Sequence, residues 1–64
     1  MRYPKIKVQL SGKDGNAFVI LALMRKGLRK GRVSEAKIEQ FVKEAKGGNY
    51  DHLLQTCMKW VDVT

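Results

Sequence analysis

A single cysteine, Cys57, excludes a disulfide within the chain, and a single histidine, His52, leaves no Cys/His set at metal-ligand spacing. Two of the usual staples of small domains are therefore missing from a chain of 64 residues. At this size folding buries only about 60% of the unfolded surface. Oligomerisation is the remaining staple, and a homo-oligomer is expected. The lone free thiol points to a reducing cytosol. The opening Met1-Arg2-Tyr3-Pro4-Lys5 has no apolar h-region and reads as no signal peptide. No apolar run approaches the ~20 residues that span a bilayer, so no membrane anchor is expected. Carboxylates are scarce in the first half: residues 1–32 hold nine Lys and Arg against Asp14 alone, a balance of +8. Residues 33–64 hold four Lys against five carboxylates, a balance of −1. Such asymmetry implies an anionic partner for the first half, whether nucleic acid, nucleotide or membrane surface. The plain alternative is a solvated, solubilising face.

The densest apolar feature is Ala17-Phe18-Val19-Ile20-Leu21-Ala22-Leu23-Met24. On a helical wheel these residues point in every direction, and a helix apolar all round must be covered on all sides. One thin domain can hardly do this, which is the second reason to expect an oligomer. The helix is expected over Ala17–Lys30, with Asn16 or Asp14 as its cap. Gly27 weakens its last turn, and Gly31 is expected as the left-handed residue that ends it.

The remainder reads as β-α-α-α-β, an α+β domain of helices packed on a two-stranded sheet. Lys5–Leu10 alternates polar and apolar residues as a half-buried strand, with Ile6, Val8 and Leu10 inward and Pro4 fixing its start. Ser34 caps a second helix with Ala36, Ile38, Phe41, Val42 and Ala45 as its apolar stripe, ended by Gly47-Gly48. Asn49 or Tyr50-Asp51 opens a short third helix carrying Leu53, Leu54, Cys57 and Met58. The tail Trp60–Thr64 alternates again and is expected to pair with the first strand, since one strand alone cannot satisfy its own backbone. Residues 1–64 form one domain.

Two stretches carry candidate chemistry. Ser11-Gly12-Lys13-Asp14-Gly15-Asn16 runs from a strand to a helix N-terminus, where free amides and the helix dipole favour an anion. The glycines would let a phosphate approach the backbone, and Lys13 adds charge. It is not a Walker loop, because the glycines are too close and no Lys-Ser/Thr pair follows. Arg25, Lys26, Arg29, Lys30 and Arg32 then fall within eight residues, and Arg donates bidentately to phosphate. Part of this cluster also complements the helix C-terminus. Tyr3, Tyr50, Trp60 and Phe41 are the aromatics considered for stacking on a base; Tyr50, beside two glycines, is the best placed and Trp60 reads as core. His52 beside Asp51 lacks a nucleophile, so a structural hydrogen bond is the simpler reading. Cys57 reads as a small buried hydrophobe. No constellation supports catalysis, and no cofactor is expected.

Lys5-Ile6-Lys7-Val8 leading to Asp14-Gly15-Asn16-Ala17-Phe18, then Gly48-Asn49-Tyr50-Asp51-His52-Leu53-Leu54-Gln55-Thr56 and Met58-Lys59-Trp60-Val61, resembles a family of tiny phage and prophage proteins. That family looks like the viral anti-CBASS sponges, which sequester cyclic dinucleotide immune signals such as cyclic GMP–AMP without cleaving them. The resemblance implies a homo-oligomer, with a tetramer favoured, whose subunits share each ligand in the host cytoplasm. It directs attention to Gly12, Lys13, Asp14, Gly15 and Asn16 and to Tyr50, Asp51 and His52; the basic cluster, read from its charge alone, adds Arg25 and Arg29 as candidate ligand contacts. The loop departs from the family at Lys13, where Gln is common. The rival reading is a nucleic-acid-binding module using the first two helices as a helix-turn-helix-like pair. A third makes the chain an inhibitor of a host protein through its apolar surface.

Overall fold

The computed structural model describes residues 2–10 and 15–64. The order is β1 (Tyr3–Val8), α1 (Ala17–Lys30), α2 (Glu35–Ala45), α3 (Tyr50–Trp60) and β2 (Val61–Val63). The expected β-α-α-α-β succession and the two-stranded sheet are both present. The strands are parallel, with Tyr3 opposite Val61, Lys7 opposite Asp62 and Val8 opposite Val63. Parallel neighbours cannot be joined by a tight turn, so the three helices form the crossover between them. Backbone bonds extend the pairing beyond the strands, from Arg2 N to Lys59 O at 3.0 Å and from Leu10 N to Thr64 O at 2.9 Å.

Each helix begins where a short polar side chain precedes it. Asn16 Oδ1 accepts from Phe18 N at 2.8 Å, Ser34 Oγ from Lys37 N at 3.4 Å and Asn49 Oδ1 from His52 N at 2.9 Å. These are the side-chain caps that satisfy otherwise orphaned first-turn amides. The core is built from one stripe per helix: Ile20, Leu21, Met24 and Leu28 from α1, Ile38, Phe41, Val42 and Ala45 from α2, and Leu53, Thr56, Cys57 and Trp60 from α3. Val8 and Val61 close it from the sheet, with Ile6 and Leu10 half-buried against it as expected. Trp60 is 1% exposed, meets the edge of Phe41 at 5.4 Å between ring centroids, and lies 4.3 Å beneath the Arg2 guanidinium.

Four local expectations are corrected. The first strand spans Tyr3–Val8 rather than Lys5–Leu10, with an irregular register between Tyr3 and Lys7. Pro4 is tolerated inside it because a two-stranded sheet has only edge strands, where a missing amide need not break a ladder. Trp60 ends α3 instead of starting the tail strand. Ala36 is exposed and Met58 is 52% exposed, so neither belongs to the core. Helical periodicity explains both, since buried positions recur at i, i+3, i+4 and i+7, and these two residues fall between the rows.

The fourth correction concerns the end of α1. Gly31 has φ −81°, and the left-handed residue is Arg32 at φ 64°. Val33 N donates to Leu28 O and Arg32 N to Arg29 O, each at 3.0 Å, which is the paired bonding of a Schellman cap. The glycines serve the approach of β1 instead. A Cβ on Gly27 would lie 2.6 Å from Val8 Cγ2, and one on Gly31 would lie 2.7 Å from Ile6 Cγ1. A side chain other than glycine costs about 1 kcal/mol in the left-handed region. Arg32→Gly is therefore expected to stabilise the fold by about 1 kcal/mol, raising Tm by about 4–8 °C. Gly31→Ala, one residue earlier, should lower Tm by driving its methyl into Ile6. Thermal melts followed by circular dichroism read both, and equal responses at the two positions would contradict this assignment.

Candidate functional site

The N-termini of α1 and α3 and the C-terminus of α2 meet around an open groove of about 430 Å³. Ala17, Phe18 and Leu21 line it from α1, Ala45 and Lys46 from the end of α2, and Gly48, Asn49, Tyr50 and Leu53 from the start of α3. Gly15, at the end of the first polar motif, and Tyr50, in the second, are more than thirty residues apart in sequence and close in space. At the mouth, a Cβ on Gly15 would lie 3.6 Å from the Tyr50 hydroxyl. Phe18 is 79% exposed and Tyr50 42% exposed. Both aromatics line an apolar groove whose lining, among the described residues, contains one charge, Lys46, and no carboxylate. A large apolar side chain gains about 1.5–3 kcal/mol on burial, so the exposed Phe18 offers surface that a bound ring could cover.

A smaller depression of about 180 Å³ adjoins the groove and shares Phe18, Leu21 and Lys46 with it, adding Ala22 and Arg25. Arg25 is half-buried, and its Nε is buried with no hydrogen-bond acceptor among the described residues. A buried donor left unmet costs about 1–3 kcal/mol, and more when it is charged.

The other expected site residues divide. Asn16 is the cap of α1, its Oδ1 already committed to Phe18 N. His52 belongs to the corner between α2 and α3: its Nε2 lies 2.8 Å from Glu44 O, and its ring packs so closely on Gly48 that a Cβ there would come within 2.8 Å. The Gly47-Gly48 pair and His52 therefore shape the groove's wall by fixing how α3 leaves α2. Asp51 is exposed in the first turn of α3, where a carboxylate complements the helix dipole. Arg29 is paired with Glu35, Nε to Oε1 at 2.9 Å, a hydrogen bond and charge that raise its pKa. It stands eleven residues past Phe18, about 16 Å along the helix axis. Arg25 and Arg29 are thus separated in role, the first beside the groove and the second on a surface ion pair. Gly12, Lys13 and Asp14 lie outside the described residues.

Phe18 and Lys46 were not legible as site residues from sequence. Phe18 reads as one more residue of an apolar run, and Lys46 as one of many exposed lysines. The available signal was nearness in sequence, since each lies two residues from one of the two polar motifs, Phe18 after Asn16 and Lys46 before Gly48. Of the aromatics weighed for stacking, Phe41 and Trp60 are core and Tyr3 packs on Trp60 at 6.0 Å, which leaves Tyr50. Cys57 is buried, and burial pushes its thiol up to about 11, so it is a packing residue with almost no thiolate at neutral pH. Among the described residues no group of three or more His, Cys, Asp or Glu could hold a metal ion, and no helix is long and apolar enough to cross a membrane. No protein-family model, curated protein or solved structure matches the chain.

Proposed function

We propose that this groove binds a cyclic dinucleotide such as cyclic GMP–AMP and holds it without cleaving it, as a phage sponge against CBASS signalling. The observation that carries the reading is an apolar groove flanked by two exposed aromatic rings, Phe18 and Tyr50, with Gly15 beside Tyr50 at its mouth and the cations Lys46 and Arg25 at one end. Flat apolar surfaces take nucleobases by stacking. Arg and Lys beside them take phosphate. The class of signal and the sponge role come from the sequence resemblance, which also favours a tetramer whose subunits share each ligand; the homo-oligomer is expected from the chain's small size and apolar run as well. Light scattering reads the subunit number.

The nucleic-acid reading draws on the same basic cluster but fits the helices poorly. In a helix-turn-helix pair the second helix enters the major groove. The exposed face of α2 carries Glu35, Glu39 and Glu44 among its lysines, and phosphates would repel them. Calorimetric titration at two salt concentrations separates the readings. Cyclic GMP–AMP is expected to bind with an affinity that changes less than about fivefold between 50 and 200 mM salt. A DNA binder making six to ten phosphate contacts loses about a thousandfold or more over that range. Tight, steeply salt-dependent binding of duplex DNA, with no response to cyclic dinucleotides, would replace the proposal with its rival.

A further inference from the structure

Arg25 and Phe18 are seven residues apart on α1, two turns along one face, so a side chain from each reaches the same strip of surface. Lys46, from the end of α2, borders the groove and the adjoining depression alike. Among the described residues the depression's lining contains these two cations and no carboxylate, whereas Arg29, one turn further along α1, is paired with Glu35. Arg25 Nε is buried there without an acceptor among the described residues. A guanidinium cannot escape an unmet hydrogen bond by losing its proton. An anion from solution would satisfy such a donor, and a tetrahedral phosphate oxygen suits a guanidinium edge beside an ammonium.

We propose that Arg25 and Lys46 form a phosphate subsite continuous with the aromatic groove, so that a ligand base lies between Phe18 and Tyr50 while its phosphate sits at Arg25. The inference rests on the reading of the groove as a nucleotide site, and it moves the principal phosphate contact away from the loop before α1. The Nε–H of Arg25 gives its own signal in a proton–nitrogen correlation spectrum, and that of Arg29, held by Glu35, serves as the internal control.

Inorganic phosphate added to the isotope-labelled protein is expected to shift the Arg25 Nε–H signal saturably and leave that of Arg29 in place. Acetate at equal ionic strength should do much less. Lys46→Gln removes an exposed side chain, so its Tm should hold while its affinity for cyclic GMP–AMP falls about tenfold; Arg25→Lys, which keeps the charge but loses the fork, should fall by at least as much. If cyclic GMP–AMP binds and perturbs Phe18 and Tyr50 while Arg25 Nε–H stays unmoved, the subsite is wrong and the groove reading stands. If phosphate shifts Arg25 but no cyclic dinucleotide binds, the anion site stands and the nucleotide reading falls. Equal shifts with acetate, or unchanged affinity in both variants, would overturn the subsite.

Discussion

Trp60→Ala is expected to leave the chain at or beyond the edge of unfolding at 25 °C. Trp60 is 1% exposed and sits where all layers meet, edge-on to Phe41 of α2, beside Tyr3 of β1 and under Arg2. It also joins α3 directly to β2, with Val61 next in line and fully buried. Emptying such a position costs about 3–5 kcal/mol in lost transfer energy and residual cavity. A chain of this length has about 3–10 kcal/mol of stability in total. The loss should lower Tm by more than about 15 °C, followed by circular dichroism at 222 nm because the variant has no tryptophan to report. Trp60→Phe keeps a ring and should lose less. A fall of only a few degrees in Trp60→Ala would mean that the core is centred elsewhere.

Phe18→Ala is expected to do the opposite, removing binding while leaving the fold. At 79% exposure Phe18 contributes little packing, so stability should change by no more than about 0.5 kcal/mol. Stacking on a base is worth about 1–3 kcal/mol, so affinity for cyclic GMP–AMP should fall about tenfold to a hundredfold. Tyr50→Ala should lose a similar amount by the same argument. Light scattering on Phe18→Ala provides the control: a drop in mass would assign Phe18 to a subunit contact instead of a ligand.

The sequence made the elements legible because their determinants are local. Asn16, Ser34 and Asn49 each announce a helix start, and each is the cap observed. The range of α1 followed from its apolar run and the glycine after it, although Gly31 is there for Ile6 and the left-handed turn fell to Arg32. That distinction depends on how closely β1 approaches, which no local pattern encodes. Thr56 shows the same limit on a smaller scale. It is buried because it lies in the row of Leu53, Cys57 and Trp60, with its hydroxyl donating to His52 O at 2.8 Å. Hydropathy alone favours Met58 instead. The candidate site was legible as two motifs but not as one place. The approach of Tyr50 to Gly15 and Phe18 requires α3 to turn back beside the start of α1, and the corner that arranges this is made by His52 on Gly48 and Glu44. His52 thus matters to the groove through its position, as the simpler reading of a lone histidine anticipates.

The central claim is that the groove holds a cyclic dinucleotide and releases it unaltered. Cyclic GMP–AMP incubated with a slight excess of protein, separated from free ligand, then freed by heating, can be counted on an ion-exchange column. The account predicts that most of the ligand travels with the protein and is recovered intact, and that it does not co-migrate with the Phe18→Ala variant. Ligand that never associates, or that returns as linear or mononucleotide products in a reaction lost with His52→Ala, would contradict it.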